Sequence, residues 1–229
     1  MTVKDNLNDI LARIERTARR AGRNPADISL VAVTKTQPIE RLQQVVAAGG
    51  AHVGENYIQE AREKIDQLAH LPVQWHLIGH LQTNKAKYAV RMFDLIHTVD
   101  SLKLAVELDR QAARAGKRQA VLVQVNISGE DTKSGIPTDQ AAGLVQEIKG
   151  LPHLMAKGLM TIPPYFDAPE RSRPIFAALK GLLRQIRDDL SMDNHFKELS
   201  MGMTGDFEVA IEEGATFVRV GTALFGERR

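Results

Sequence analysis

The chain has 229 residues, 43% of them hydrophobic, with 30 basic against 28 acidic side chains and a formal net charge of +2. That is enough apolar material for a sizeable core, and the near-balance of charge leaves no footprint for nucleic acid. There is no cysteine, which excludes disulfides and thiolate metal sites, and no apolar run has the length of a membrane span.

The amino terminus, Met1 to Asn6, reads as the start of an amphipathic helix containing an acidic residue, not as a signal peptide. A cytoplasmic protein with no membrane partner is expected. The first helix is predicted over 3–21, with Thr2 and Asp5 in a capping-box pattern. Leu7, Ile10, Leu11, Ile14 and Ala18 recur at helical spacing as its apolar stripe. Arg13, Arg16, Arg19, Arg20 and Arg23 follow the same segment, and a solvated outer face is preferred over a partner surface.

β-rich runs and helical runs then alternate. Strands are predicted over 29–34, 51–54, 73–78, 95–99, 120–126, 155–161, 198–200 and 216–220. Helices are predicted between them over 38–48, 57–69, 83–90, 101–115, 138–149, 169–190 and 206–213, with a short tail helix near Thr222. Alternation of this kind implies parallel strands joined by crossovers. No linker-like stretch divides the chain, so residues 1–229 are expected to form one domain. Eight units fit either a closed (β/α)₈ TIM barrel or an open doubly wound sheet.

In either fold the site lies at the carboxyl ends of the strands. Lys35 ends the first strand after Leu30, Val31, Ala32 and Val33. With alternation it shares a face with Val31 and Val33. An apolar wall disfavours the charged amine, and a neutral amine is what carbonyl addition requires, so the position suits a Schiff-base lysine. A lysine that merely reaches solvent at a strand mouth is the competing reading.

The last two strand ends bear on that choice. Ser200-Met201-Gly202-Met203-Thr204-Gly205 and Gly221-Thr222 are small-residue turns leading into helices, a setting for backbone anion binding. Barrels often hold a phosphate after the seventh and eighth strands, and closure sets the eighth strand beside the first. Lys35 and the anion site then become neighbours, which favours the barrel. Asp206 and Glu208 suit the start of the following helix but would repel an anion there, so they are expected to point away, or Asp206 to orient the loop. Arg219 has inward parity with Gly221 and suits an anion, a ring nitrogen or a barrel carboxylate. His76 and His80 are four apart in a strand setting broken by Gly79, which does not give metal-ligand geometry; a structural or ring-contacting role is preferred for His76.

These motifs are recognisable together. Val31-Ala32-Val33-Thr34-Lys35, Gly54-Glu55-Asn56-Tyr57, the run Trp75 to Lys85, Lys133-Ser134-Gly135, Gly158-Leu159-Met160, Ser200 to Thr204 and Val218-Arg219-Val220-Gly221-Thr222 resemble the pyridoxal phosphate (PLP) homeostasis proteins, the YggS/PROSC family, over nearly the whole length. The resemblance implies a (β/α)₈ barrel like the alanine racemase N-terminal domain, with an extra N-terminal helix. It implies PLP as cofactor in a Schiff base with Lys35. Ser200, Gly221 and Thr222 match the family's phosphate-binding positions, Arg219 the arginine facing the pyridine nitrogen, and Asn56, His76 and Met201 residues lining the ring. Thr34 and Thr204 stand where the family often has serine, and both keep the hydroxyl. The resemblance further implies a role in vitamin B6 and amino-acid homeostasis without established enzymatic turnover. A monomer is expected, with PLP as its ligand and amino acids as candidate further ligands.

Two alternatives compete: a PLP-dependent amino-acid racemase and a PLP-responsive interaction module. A two-base racemase needs a second base opposite Lys35. Alanine racemases take it from a separate domain, for which the eight units leave no room. Of the three tyrosines, Tyr57 and Tyr88 fall on predicted helices, and Tyr165, after Pro163-Pro164, is the remaining candidate.

Overall fold

The computed structural model describes residues 2–130 and 134–226. Lys133, part of one quoted motif, lies outside them. Helix α1 (Val3–Arg20) opens the chain with the expected capping box between Thr2 and Asp5. Strands β1 (Ser29–Val33), β2 (His52–Glu55), β3 (Gln74–Leu77), β4 (Leu95–Val99) and β5 (Gln119–Asn126) alternate with α2 (Ile39–Ala47), α3 (Ile58–Leu68), α4 (Ala86–Met92) and α5 (Leu102–Arg114). A two-residue strand β6 (Ile136–Pro137), not expected from the sequence, pairs in parallel with β5. Then follow α6 (Ala141–Lys149), β7 (Leu154–Met160), α7 (Arg173–Asp189), β8 (Glu198–Ser200), α8 (Phe207–Glu212), β9 (Phe217–Val220) and α9 (Thr222–Phe225).

All pairings are parallel, and the strands run β4-β3-β2-β1-β9-β8-β7-β5. A further pairing of β4 with β5 closes the ring, so the fold is an eight-stranded (β/α) barrel and not an open sheet. Closure seats β9 beside β1, with Val31 opposite Arg219 and Ala32 opposite Val220.

The apolar pattern divides between two layers. Along β5, Val121, Val123 and Val125 join the main core beneath the helices, together with Leu42, Leu104, Leu108, Phe176 and Leu183. Leu122, on the opposite face of the same strand, belongs to a separate cluster with Leu95 and Met160, against which Ala120 and Phe217 pack. This is the in-out alternation that fills a barrel interior.

Helix α1 packs against α2, α8 and α9 outside the ring, burying Val3, Leu7, Ile10, Ile14 and Ala18. Leu11, expected in the stripe, is exposed. The arginine row is only partly a solvated face. Arg13 and Arg20 pair with Glu208 and Glu212 on α8, and Arg23 donates to the main-chain oxygen of Ile211. Those contacts fasten α1 to the last βα unit. No helix among the described residues is long and apolar enough to cross a membrane.

Candidate functional site

A cavity of about 310 Å³ opens at the carboxyl ends of the strands. Its lining includes Val33 and Lys35 after β1, Asn56 after β2, Arg219 and Gly221 at the end of β9, Thr222 on α9, and Thr204 and Gly205 from the loop after β8. Six βα units lie between the two ends of this wall in the chain, and barrel closure brings those ends together.

Lys35 sits in the turn just past β1, half-buried. Its neighbours on both sides are clamped. Thr34 is fully buried, its N–H donates to the oxygen of Gly54 at 3.0 Å, and its hydroxyl donates to Glu55. Lys64, on the inner face of α3, donates to Thr34 O at 2.6 Å, to Glu55 Oε1 at 2.8 Å and to Glu60 Oε1 at 2.6 Å. Glu60 in turn accepts from the N–H of Thr36. Thr36 has φ of 62°, a left-handed conformation that costs a β-branched residue energy and persists where its surroundings hold it. Burial pushes the Glu55 carboxyl above the usual carboxylate range, opposed by the bonds from Lys64 and Thr34.

Asn56 reaches the wall because Gly79 lets its backbone approach. A Cβ on Gly79 would lie 2.3 Å from the oxygen of Asn56, closer than atoms can pack.

Arg219 is almost completely buried, and burial pushes its guanidinium down to about 10, with the charge of Asp206 opposing. It therefore stays cationic at neutral pH. One terminal nitrogen donates to Ser200 Oγ at 2.6 Å and the other to Thr161 O at 2.9 Å, and the residue belongs to the cavity wall.

The loop after β8 turns at Gly202, whose φ of 90° suits glycine and where a Cβ would meet Ala210 at 2.5 Å. Asp206 holds this loop: it accepts from Met203 N–H at 2.7 Å and from the Ser172 hydroxyl at 2.9 Å. Glu208 is drawn to Arg13. Both carboxylates are thus occupied away from the cavity, and Asp206 orients the loop. Thr204 Oγ1 accepts from Ala223 N–H at 3.4 Å, tying this loop to the start of α9.

Of the residues singled out in the sequence, Lys35, Asn56, Arg219, Gly221 and Thr222 line the cavity together. Ser200, Met201 and His76 do not. Ser200 ends a strand of only three residues, and its hydroxyl points into the barrel, between Arg219 and His97. Met201 is buried in the main core. His76 is buried between His52 and His97 inside the barrel, while His80 is exposed and faces Asp100. No group of three His, Cys, Asp or Glu able to hold a metal is present among the described residues. Thr204 and Gly205, expected only as part of the anion-binding loop, line the cavity; the sequence reading missed the Glu55–Lys64 clamp, His52 and His97. His97 had a usable signal, since it is a polar residue in a strand that is otherwise largely apolar.

Barrel and cavity define the class. The chain matches the family model described as "Alanine racemase, N-terminal domain" over residues 6–229. The alanine racemase of Clostridium difficile 630 has the same fold, with a TM-score of 0.75 at 17% identity, over 98% of this chain and 57% of that one. Similarity at full length is more particular. The pyridoxal phosphate homeostasis protein of Aquifex aeolicus is 42% identical over 231 residues, covering 100% of both chains. The structure of PipY from Synechococcus elongatus PCC7942 with PLP bound superposes with a TM-score of 0.83 at 36% identity, over 93% of this chain and 100% of that one. The chain belongs to the pyridoxal phosphate homeostasis protein family.

Proposed function

We propose that this chain binds PLP in the cavity, as a Schiff base on Lys35, and acts in vitamin B6 and amino-acid homeostasis without turnover of its own. The observation that carries the reading is the shared wall: one amine, one buried cation and two small-residue loops converge on a single small space. PLP supplies an aldehyde that condenses with an amine, and a pyridine ring that withdraws electrons. The residues present fit that group. A half-buried lysine faces the loops Thr204-Gly205 and Gly221-Thr222, whose backbone and hydroxyls suit a phosphate.

Lys35 supplies the amine, and the Glu55–Lys64–Glu60 clamp keeps the backbone on both sides of it in place. Arg219 opposes protonation of the ring nitrogen, because a fixed positive charge disfavours a second one facing it. Ser200 serves the site from behind, by holding Arg219, and Asn56 borders the ring. In this reading residues 1–229 form one cofactor-binding domain, working as a cytoplasmic monomer with PLP and amino acids as its small-molecule ligands.

One observation favours the racemase reading: Tyr165 lines the same cavity. It is 87% exposed, and a base open to water lacks the enclosed setting in which carbanion chemistry is stabilised. The non-catalytic reading is therefore preferred.

The test is the absorbance spectrum of the purified protein with PLP, followed by borohydride reduction and peptide mapping. Label on Lys35, and its loss in Lys35→Ala, is expected. Label confined to another lysine overturns the assignment.

A further inference from the structure

Three histidines from neighbouring strands form a chain through the barrel interior. His52 Nδ1 lies 3.0 Å from His76 Nε2, and His76 Nδ1 lies 2.8 Å from His97 Nε2. His97 Nδ1 lies 2.8 Å from Ser200 Oγ, which accepts from Arg219 at 2.6 Å. Phe217 packs edge-on or tilted against all three imidazoles, with centroids 5.4 to 6.0 Å away. The chain starts at the first residue of β2, at the barrel end opposite the cavity, and stops at Arg219, a residue of the cavity wall.

The protons in this chain can be assigned. Arginine only donates, so Ser200 Oγ accepts from Arg219, and its one hydroxyl proton remains to be placed. The other contact of that hydroxyl is His97 Nδ1, so Ser200 donates to it. A neutral imidazole has one N–H. His97 then carries its proton on Nε2 and donates to His76 Nδ1. His76 does the same toward His52, whose own Nε2–H is left at the half-buried end of the row. The opposite order aims two donors at Ser200 and leaves its buried hydroxyl proton without an acceptor among these contacts, which is costly.

We propose that His97, His76 and His52 are positioning residues for Arg219: a one-directional row of neutral, Nε2-protonated imidazoles that turns its acceptor side to the guanidinium through Ser200. Every dipole in the row is then oriented to stabilise a positive charge at the Arg219 end, where no carboxylate is hydrogen-bonded to the guanidinium among the described residues. Burial favours the neutral state that the row requires: it pushes His76 down to about 3 and His97 well below its ordinary value. The link from Arg219 to a bound ring rests on the functional reading above; the proton order does not.

The first test therefore uses the full chain without ligand, labelled with ¹⁵N-histidine. Long-range proton–nitrogen spectra at neutral pH should show His52, His76 and His97, assigned by single substitutions among the seven histidines, as neutral Nε2–H tautomers. An Nδ1–H tautomer or an imidazolium at His76 or His97 overturns the proposal, whether or not PLP binds.

The second test compares His97→Phe, which removes the acceptor for Ser200, with His97→Gln, which can accept and donate. PLP affinity should fall about tenfold in the first, the loss expected for one buried hydrogen bond, and return to within about twofold of the parent in the second. Folded His97→Phe protein with parental affinity and absorbance refutes the positioning role. Should His97→Phe not fold, His52→Phe breaks the row at its outer end. The Arg219 guanidinium ¹⁵N signals should then shift, and unmoved signals refute the row. Failure of the parent to bind PLP would sink the functional reading while leaving the tautomer result intact.

Discussion

Lys64 Nζ lies 2.6 Å from the main-chain oxygen of Thr34, one residue before Lys35, and the same ammonium neutralises Glu55. Both side chains of that ion pair are buried, at 5% and 0% exposure. A buried pair adds little net stability over an apolar substitute, yet removing one partner strands the other. Lys64→Met should therefore destabilise the protein by about 3 kcal/mol, read from denaturant unfolding. Glu55→Gln in the same background should recover part of that loss. A Lys64→Met protein as stable as the parent would show that the clamp is not holding the turn.

The two small-residue loops give a graded prediction for PLP binding. A Cβ at Gly221 would lie 3.3 Å from Val33 Cβ and 3.5 Å from Val33 O, so Gly221→Val forces a branched side chain against β1 beside Lys35. PLP affinity should fall by about tenfold or more. Thr222→Ala removes one hydroxyl and should cost only about threefold. Equal affinities in titrations followed by absorbance would reject a phosphate site at this wall.

The interior histidines predict how stability responds to acid. His76 is pushed down to about 3, with burial the main cause, and His52 and His97 are lowered for the same reason. An unfolded chain protonates its histidines near pH ~6.5. Below that pH the unfolded state takes up protons that the fold refuses. Stability is thus fully present above about pH 6.5 and declines as pH falls toward 3, by up to ~1.4 kcal/mol per pH unit for His76. Urea unfolding at pH 7, 6 and 5 measures the slope. A folded His76→Gln variant with the parental slope would contradict the assignment.

Absence of racemisation is the expected result when the PLP-loaded protein is incubated with L-alanine in deuterated water. Tyr165, the tyrosine on the cavity rim, stands in solvent at 87% exposure. Exchange at Cα with inversion, at an enzyme's pace and lost in Tyr165→Phe, would establish a racemase.

Much of this architecture was legible in the sequence because both periods were clean. The strand over 95–99 and the strand over 198–200 match the structure at both ends, and the eight βα units and the leading helix stand as expected. β6 was not legible: Ile136 and Pro137 are too short a run to show a period, and proline argues against a strand. The direction of the Ser200 hydroxyl was not legible: it lies between Arg219 and His97, far apart in the chain, and a strand of three residues does not set its own phase. Leu11 failed for a different reason: it fits the helical period but lies at the stripe's margin, beyond the helices that α1 meets. Glu55 was quoted only as part of a motif. Its importance comes from Lys64, two turns along the next helix, and from a main-chain oxygen, neither of which a local pattern reports.

The pairing of Val31 with Arg219 joins the first strand of the ring to the last. A ribosome delivers β1 long before β9, so during synthesis Lys35 is exposed before its opposite wall exists. Until residues 217–220 emerge, β1 presents an unpaired edge, a template for wrong partners that chaperones commonly shield. Ligand capture is therefore a property of the finished chain only. A nonsense or frameshift lesion between β1 and β9 yields a polypeptide that retains Lys35 but has no ring to enclose it.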